Sequence, residues 1–364
     1  MKNVAILGAN GQVGIEVCLF LKEMTDFNII PICRSVTSTF LLNKFNFEIR
    51  YGDVSKPEDA EKLLTDCDHI VDFTLISGLC SEVKDTSKKI ITNSIKYSNN
   101  KGCYIYTSSV MAFGMPNQNN HFKSHILSNT VYGYSKRFAE SLVKKTCKKY
   151  KKDSYILRLG EVHGVIQRAS QQLIQELKDE QTIIPNNDSD IVFTFSIAEA
   201  IKNIIHGKEQ SGLYTLVSTP EWTWEEVHEY YCKKIGITPT IKIITFSEKP
   251  FLKSIKTKFI ELLNSNAQCI SSYLISFFST VERLIAAKYY SKKAANDINK
   301  KDNYYYFPFK DKHYIGKISG KRLRLISDTK HCMNDLMNKI EILLQRNQLI
   351  NSKRMEGNHD EFDI

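Results

Sequence analysis

Asn3-Val-Ala-Ile-Leu-Gly8-Ala-Asn-Gly-Gln-Val-Gly14 decides the fold. Residues 3–7 are a short apolar run that reads as a buried strand, and Ile15 to Met24 is apolar with helical period. Between them stand glycines at 8, 11 and 14. The first permits a tight turn, the second lets backbone approach a pyrophosphate, and the third lets the helix pack close to the strand. The helix N-terminus then meets the phosphate charge. Glycines so spaced also occur in ordinary turns, but directly after a strand and before an amphipathic helix they predict a dinucleotide loop. Its expected contacts are Gly8, Asn10, Gly11, Gln12, Val13 and Gly14.

Outward from this loop the pattern repeats. Asn28 to Cys33, Phe47 to Tyr51 and His69 to Phe73 read as further strands, with helical patterns between them, notably Pro57 to Leu64. Cys103 to Thr107 supplies another strand, Tyr132 to Tyr150 a long helix, and Ser154 to Leu159 a strand. Strand–helix alternation of this kind predicts an α/β protein, a doubly wound Rossmann-type parallel sheet with a smaller C-terminal substrate-binding lobe. The expected division is a dinucleotide-binding domain over 1–165 and a substrate-binding lobe over 166–240, partly interleaved with it. An atypical helical, basic extension follows over 241–350, then a flexible tail over 351–364. In the second lobe Thr223 is expected to cap a helix beginning at Trp224, with Glu226 at its third position.

Composition narrows the function classes. The 364 residues are 42% hydrophobic and 25% charged, enough for a proper core. A net charge of +10 favours anionic partners, and phosphate-bearing small molecules satisfy it. No zinc-finger spacing, aromatic–basic RNA signature or basic heptad helix accompanies it, so no nucleic-acid partner is expected. Nine scattered cysteines without Cys-x-x-Cys read as free thiols in a reducing, cytoplasmic setting. The start runs straight into the first strand, leaving no room for a cleavable secretory segment. From Leu262 to Val281 no residue carries a formal charge, but serines and asparagines dilute the stretch. A buried or interface helix is the preferred reading, with peripheral membrane contact through the flanking lysines as the minor one. No metal site is expected: His121 and His125 lack the glutamate of a zinc hydrolase helix.

Two residues bear on the cofactor. An acid at the end of the second strand would receive adenosine ribose hydroxyls, whereas Cys33-Arg34-Ser35 offers an arginine suited to a 2′-phosphate. NADP(H) is therefore preferred, with NAD(H) the alternative. Asp53 in Gly52-Asp-Val54 places a carboxylate near the expected adenine edge, or forms a turn or cap ahead of Pro57.

The chemistry is carried by Val131-Tyr-Gly-Tyr-Ser-Lys136. On a helix Tyr132 and Lys136 share one face, a turn apart. An ammonium beside a phenol would favour the phenolate and lower a pKa that is otherwise about 10. With 18 tyrosines in the chain the pair alone is weak, and gains weight from the glycine loop.

These segments together resemble the extended short-chain dehydrogenase/reductases of the NAD-dependent epimerase/dehydratase group. The matching stretches are the glycine loop, Gly52-Asp53, Thr107-Ser-Ser-Val-Met-Ala-Phe-Gly114, Tyr132-Gly-Tyr-Ser-Lys136, Leu157 to Gly164 and Phe193 to Ile201, covering roughly 1–235. The resemblance implies Tyr132 as general acid/base, Lys136 holding the nicotinamide ribose, and Ser109 binding the substrate oxygen, with Ser108 its nearest competitor. It implies cofactor contacts at Arg34, Asp53, Val54, Phe73, Thr74, Tyr132 and Lys136 besides the loop. Substrate contacts are expected at Ser109, Val110, Met111 and His163, although His163 reads equally as a packing residue. A homodimer through the tyrosine-bearing helix is implied as well. Departures are Leu159 for the usual proline, Ser196 for the usual aspartate, and the replaced stretch Asn117 to Ser124. No acidic pair follows Ser109, which argues against a sugar 4,6-dehydratase.

The implied function is an NAD(P)-dependent oxidoreductase or epimerase moving hydride to or from a secondary alcohol or ketone, on a nucleotide-linked sugar or another small molecule. The alternatives are a hydroxysteroid-type reductase of an apolar ketone and, from another class, a non-catalytic dinucleotide sensor or scaffold.

Overall fold

The structure, a computed structural model, describes residues 1–36, 38–76, 78, 80–113, 131–178, 182–185, 189, 191–216, 222–238, 241–244, 321–322 and 337–342. The readings placed on Asn117 to Ser124, His121, His125, the uncharged stretch 262–281 and the tail lie outside these residues, as does nearly all of the 241–350 extension.

In chain order the elements begin with β1 (Asn3–Leu7), α1 (Gln12–Met24), β2 (Asn28–Cys33), α2 (Phe40–Lys44), β3 (Arg50–Tyr51) and α3 (Pro57–Leu64). They continue with β4 (His69–Asp72), α4 (Cys80–Tyr97), β5 (Cys103–Ser109), α5 (Val131–Tyr150) and β6 (Asp153–Leu159). The second half adds β7 (Glu161–His163), α6 (Arg168–Glu176), β8 (Thr182–Pro185), β9 (Ile191–Phe193) and α7 (Thr194–Ile205). Last come β10 (Gly212–Leu216), α8 (Trp224–Ile235), β11 (Ile241–Ile244) and β12 (Lys321–Arg322).

Eight strands form one sheet in the order β12-β10-β6-β5-β4-β1-β2-β3, and every pairing in it is parallel. The run β3-β2-β1-β4-β5-β6 is the doubly wound arrangement, and the strand order reverses between β1 and β4. The segment 166–240, expected as a lobe partly interleaved with the first domain, contributes β10 to this sheet, and β7–β9 and β8–β11 form two small parallel pairs.

Strand alternation builds the two cores. Val4 and Ile6 belong to one, Ala5 and Leu7 to the other; Cys103 and Ile105 likewise oppose Tyr104 and Tyr106. The first face is covered by α1, α7 and α8, through Val17, Phe20, Ile197, Ile201, Val227 and Tyr231. The second is covered by α3, α4 and α5, through Leu63, Leu64, Ile91, Ile95, Ala139 and Val143. Burial on both faces is why these strands read as unbroken apolar runs.

The boundaries match the sequence reading at most elements. The third strand is the main difference: pairing with β2 is confined to Arg50 and Tyr51, not Phe47 to Tyr51, because this is the sheet edge. The cap on α8 forms as expected, with Thr223 Oγ1 accepting from the Glu226 amide at 3.2 Å and Glu226 Oε2 accepting from the Thr223 amide at 2.8 Å. Among the described residues no helix is long and apolar enough to cross a membrane. Cys18, Cys33, Cys67, Cys103, Cys147 and Cys232 are buried free thiols.

Candidate active site

Parallel pairing puts the C-terminal ends of all the main strands on one edge, and the predicted residues gather there for that reason. Gly8 to Gly14 connects β1 to α1; Arg34 follows β2, Asp53 and Val54 follow β3, and Phe73 and Thr74 follow β4.

The glycine loop fits a dinucleotide cradle. Gly8 has φ +71°, a left-handed conformation, and a Cβ there would meet the Phe73 carbonyl carbon at 3.0 Å. At Gly14 a Cβ would fall 2.4 Å from the Gly8 oxygen and 2.8 Å from Ala9 Cα, so the loop and helix touch backbone to backbone. The Gly11 amide closes the turn on the Gly8 carbonyl at 3.0 Å. Amides in the first turn of α1 lack intrahelical partners, the ready-made setting for a phosphate.

After β3, the turn expected at Asp53 forms. Asp53 Oδ1 accepts from the Ser55 amide at 2.9 Å, while α3 itself is entered through Lys56 without a side-chain cap. Burial opposes ionisation of Asp53, but the Ser55 hydrogen bonds and the charges of Arg34 and Lys56 outweigh it and hold the carboxyl below its usual range. Arg34 thus stands beside a carboxylate. Val54 is buried in the core, with its carbonyl accepting from Asn93 Nδ2 at 3.0 Å.

The reacting end lies where β5 meets the start of α5. Helical spacing does put Tyr132 and Lys136 on one face: Lys136 Nζ lies 5.8 Å from the Tyr132 ring centre and 5.1 Å from that of Tyr106. Nζ donates to the Thr107 carbonyl at 2.9 Å. Ser109 and Tyr132 share a side-chain hydrogen bond. Ser108 turns the other way, as strand alternation requires, and donates to Glu140 Oε1 at 2.6 Å. Glu140 in turn accepts two bonds from Arg158, from Nε at 2.7 Å and Nη2 at 2.6 Å. Arg158 is thereby committed to this buried pair. Ser109 is therefore the serine that faces the tyrosine.

The expected acidity of Tyr132 is reversed. Although its surface is 41% exposed, burial pushes the phenol above 10, and the Ser109 hydrogen bond only pulls it part of the way back. The amine itself is held on the Thr107 carbonyl, with its nitrogen 5.8 Å from the Tyr132 ring centre. Lys136 is 8% exposed, and burial pushes it down to about 8 against the charges of Asp72 and Glu140.

A cleft opens beside these groups, lined by Asp72, Thr74, Leu75, Tyr106, Tyr132 and Lys136 among others. Val110 is buried beneath it, and Met111 sits in the 3-10 turn Val110–Phe113 that follows β5. His163 does not reach this cleft. It is 1% exposed, and its Nδ1 lies 3.1 Å from the Tyr231 hydroxyl and 3.3 Å from Ser170 Oγ, between the rings of Phe193 and Tyr231. Burial pushes it down to about 3, with His228 adding to the effect. Its geometry is that of the packing residue. The sequence reading passed over Asp72, Tyr106 and Glu140, and met Thr107 only as the first residue of the serine motif; the acid closing the apolar run Ile70-Val-Asp72 was the one available signal. Among the described residues no three acidic, histidine or cysteine side chains are placed to share a metal ion.

Residues 4–195 match the model of the NAD dependent epimerase/dehydratase family. A spore coat polysaccharide biosynthesis protein, SpsK of Bacillus subtilis, is 23% identical over 259 residues, 68% of this chain and 84% of that protein. The UDP-N-acetylglucosamine 4-epimerase of Bacillus cereus superposes with a TM-score of 0.53 at 17% identity, over 67% of this chain and 86% of that one. The dTDP-glucose 4,6-dehydratase of Bacillus anthracis, solved in complex with NAD, gives 0.53 at 18% identity, over 73% and 91%. These likenesses establish a shared fold.

Proposed function

This chain belongs to the NAD dependent epimerase/dehydratase family, and on that premise we propose that it is a nicotinamide-dependent oxidoreductase or epimerase acting at a secondary alcohol or ketone of a nucleotide-linked sugar. The observation that carries the reading is the hydrogen bond between Ser109 and Tyr132 at the mouth of a cleft that also holds Lys136.

A nicotinamide bound along the glycine loop would supply the hydride chemistry. Ser109 would hold the reacting oxygen, and Tyr132 would move the proton at that oxygen. With its pKa above 10 in the free site, Tyr132 enters as a proton donor. To serve in the reverse direction it needs added positive charge nearby, which an oxidised nicotinamide ring bound in the cleft would provide. Lys136 would hold the nicotinamide ribose.

NAD(H) takes precedence over the NADP(H) expected from Arg34. The Asp53 carboxylate beside Arg34 offsets the positive charge a 2′-phosphate would need and repels the phosphate itself. A relative of the same fold was solved with NAD. Within the class, reduction or epimerisation is favoured over dehydration, because Val110, Met111 and Ala112 follow Ser109 where helper acids would be required.

The test is an incubation with UDP-N-acetylglucosamine or UDP-glucose and NAD, followed by product analysis and cofactor absorbance. Inversion at one sugar carbon without net change in NADH supports an epimerase; stoichiometric conversion of cofactor supports a reductase or dehydrogenase. Failure of the purified chain to bind either nicotinamide dinucleotide would refute both.

A further inference from the structure

The carboxylate of Asp72 closes β4 on the floor of the cleft, 1% exposed, and no step above uses it. Its partners are neutral. Oδ1 accepts from the Thr74 amide at 2.8 Å and the Thr74 hydroxyl at 2.6 Å, and Oδ2 accepts from the Tyr104 hydroxyl at 2.6 Å. Its main-chain carbonyl accepts from the Thr107 hydroxyl at 2.7 Å, and the Thr107 carbonyl accepts from Lys136 Nζ at 2.9 Å. One residue of β5 therefore ties the end of β4 to the lysine.

The groups around Lys136 can be taken element by element. From α5 come Tyr132 and Glu140, from β5 Tyr106 and Thr107, and from β4 Asp72. The part of α4 lining the cleft offers Val83, Ser87 and Ile91, none of them titratable in this range. Glu140 is matched by the two-bond ion pair with Arg158, so its field at the amine is largely cancelled. Asp72 is hydrogen-bonded by neutral donors, with no such ion pair against it among the described residues.

We propose that Asp72 is a positioning residue for the candidate active site, supplying the net negative charge that holds Lys136 as an ammonium and fastening the turn after β4 to the strand that carries Ser109. This rests on the reading of Lys136 as part of that site. Without such a charge, an amine as buried as Lys136 would shed its proton and its hold on a ribose hydroxyl would weaken.

The test follows the Lys136 side chain directly, in full-length protein carrying 13C at the lysine ε-carbons. Its signal is assigned by its loss in Lys136→Met. In the unsubstituted protein the midpoint is expected near 8. Asp72→Asn keeps the shape and removes the charge, and should lower the midpoint by about one pH unit or more. Tyr104→Phe removes a hydrogen bond to the same carboxylate while leaving the charge, and should leave the midpoint in place. If Asp72→Asn fails to fold, Asp72→Ser makes the same comparison. A Lys136 titration that is unchanged in a folded, uncharged variant overturns the proposal, whatever Tyr132 does. A lowered midpoint combined with undiminished turnover in Tyr132→Phe upholds the charge coupling and overturns the catalytic reading instead.

Discussion

Glu140 supports the candidate site from beneath, and its removal has a calculable consequence. Its carboxylate is buried, as is its partner Arg158, with side chains 6% and 9% exposed. It accepts three short bonds, two from the guanidinium and one from Ser108. Glu140→Ala would leave a buried cation without its counterion and a buried hydroxyl without its acceptor. Breaking such a pair from one side costs about 3–5 kcal/mol. For a folded unit of this size that corresponds to a melting-temperature drop on the order of 6–20 °C. Removing both charges, as Glu140→Met with Arg158→Met, should recover most of the loss, because two apolar side chains in that space leave no unmatched charge. Urea denaturation of the unsubstituted protein, Glu140→Met, Arg158→Met and the double variant, at one pH and salt, measures the coupling. A Glu140→Ala loss below about 1 kcal/mol, the range of an exposed ion pair, would refute the argument. So would a double variant as unstable as the sum of the singles, since coupled neighbours are not additive.

Three further outcomes follow from the same geometry. Gly14→Ala places a methyl 2.4 Å from the Gly8 carbonyl oxygen, so the loop must open; isothermal titration with NADH should show at least about a tenfold loss, or 1.4 kcal/mol. Fluorescence titration of the unsubstituted protein should find NADH bound more tightly than NADPH, and the opposite ranking would refute the role given to Asp53 beside Arg34. Acid should destabilise the fold through two histidines: the buried His163 and the half-buried His69 are held neutral, pushed down by desolvation to about 3 and about 4. Between about 6.5 and those values the unfolded chain binds more protons, so stability falls as pH falls. His163→Phe should flatten that slope in urea melts at pH values spanning the window.

The fold was legible because its cause is local and repeated. Apolar runs buried on both faces, punctuated by a glycine loop at the first turn, define the strand order almost without tertiary information. The edge strand β3 was less legible: two residues pair there, and Phe47 and Ile49 pack against the core without joining the ladder. In the candidate site, residues given by short motifs were brought together on one edge. Those placed by long-range contact were not foreseen. Asp72 and Thr107 reach Lys136 only because β4, β5 and α5 are neighbours, and Glu140, one turn along α5 from Lys136, has its part fixed by Arg158 and Ser108. The same limit explains His163, whose fate depended on Tyr231 and Ser170, 68 and 7 residues away. It also explains Tyr132: its spacing from Lys136 was right, but a four-residue spacing does not say which way the amine points.

Turnover of Tyr132→Phe tests the central claim most directly, measured beside its NADH affinity on whichever UDP-sugar the unsubstituted protein converts. Loss of the phenol should lower kcat by about 10²–10⁴-fold while NADH still binds, since the ring remains and only the proton-carrying oxygen is gone. Undiminished kcat in a folded variant that binds NADH would contradict the account.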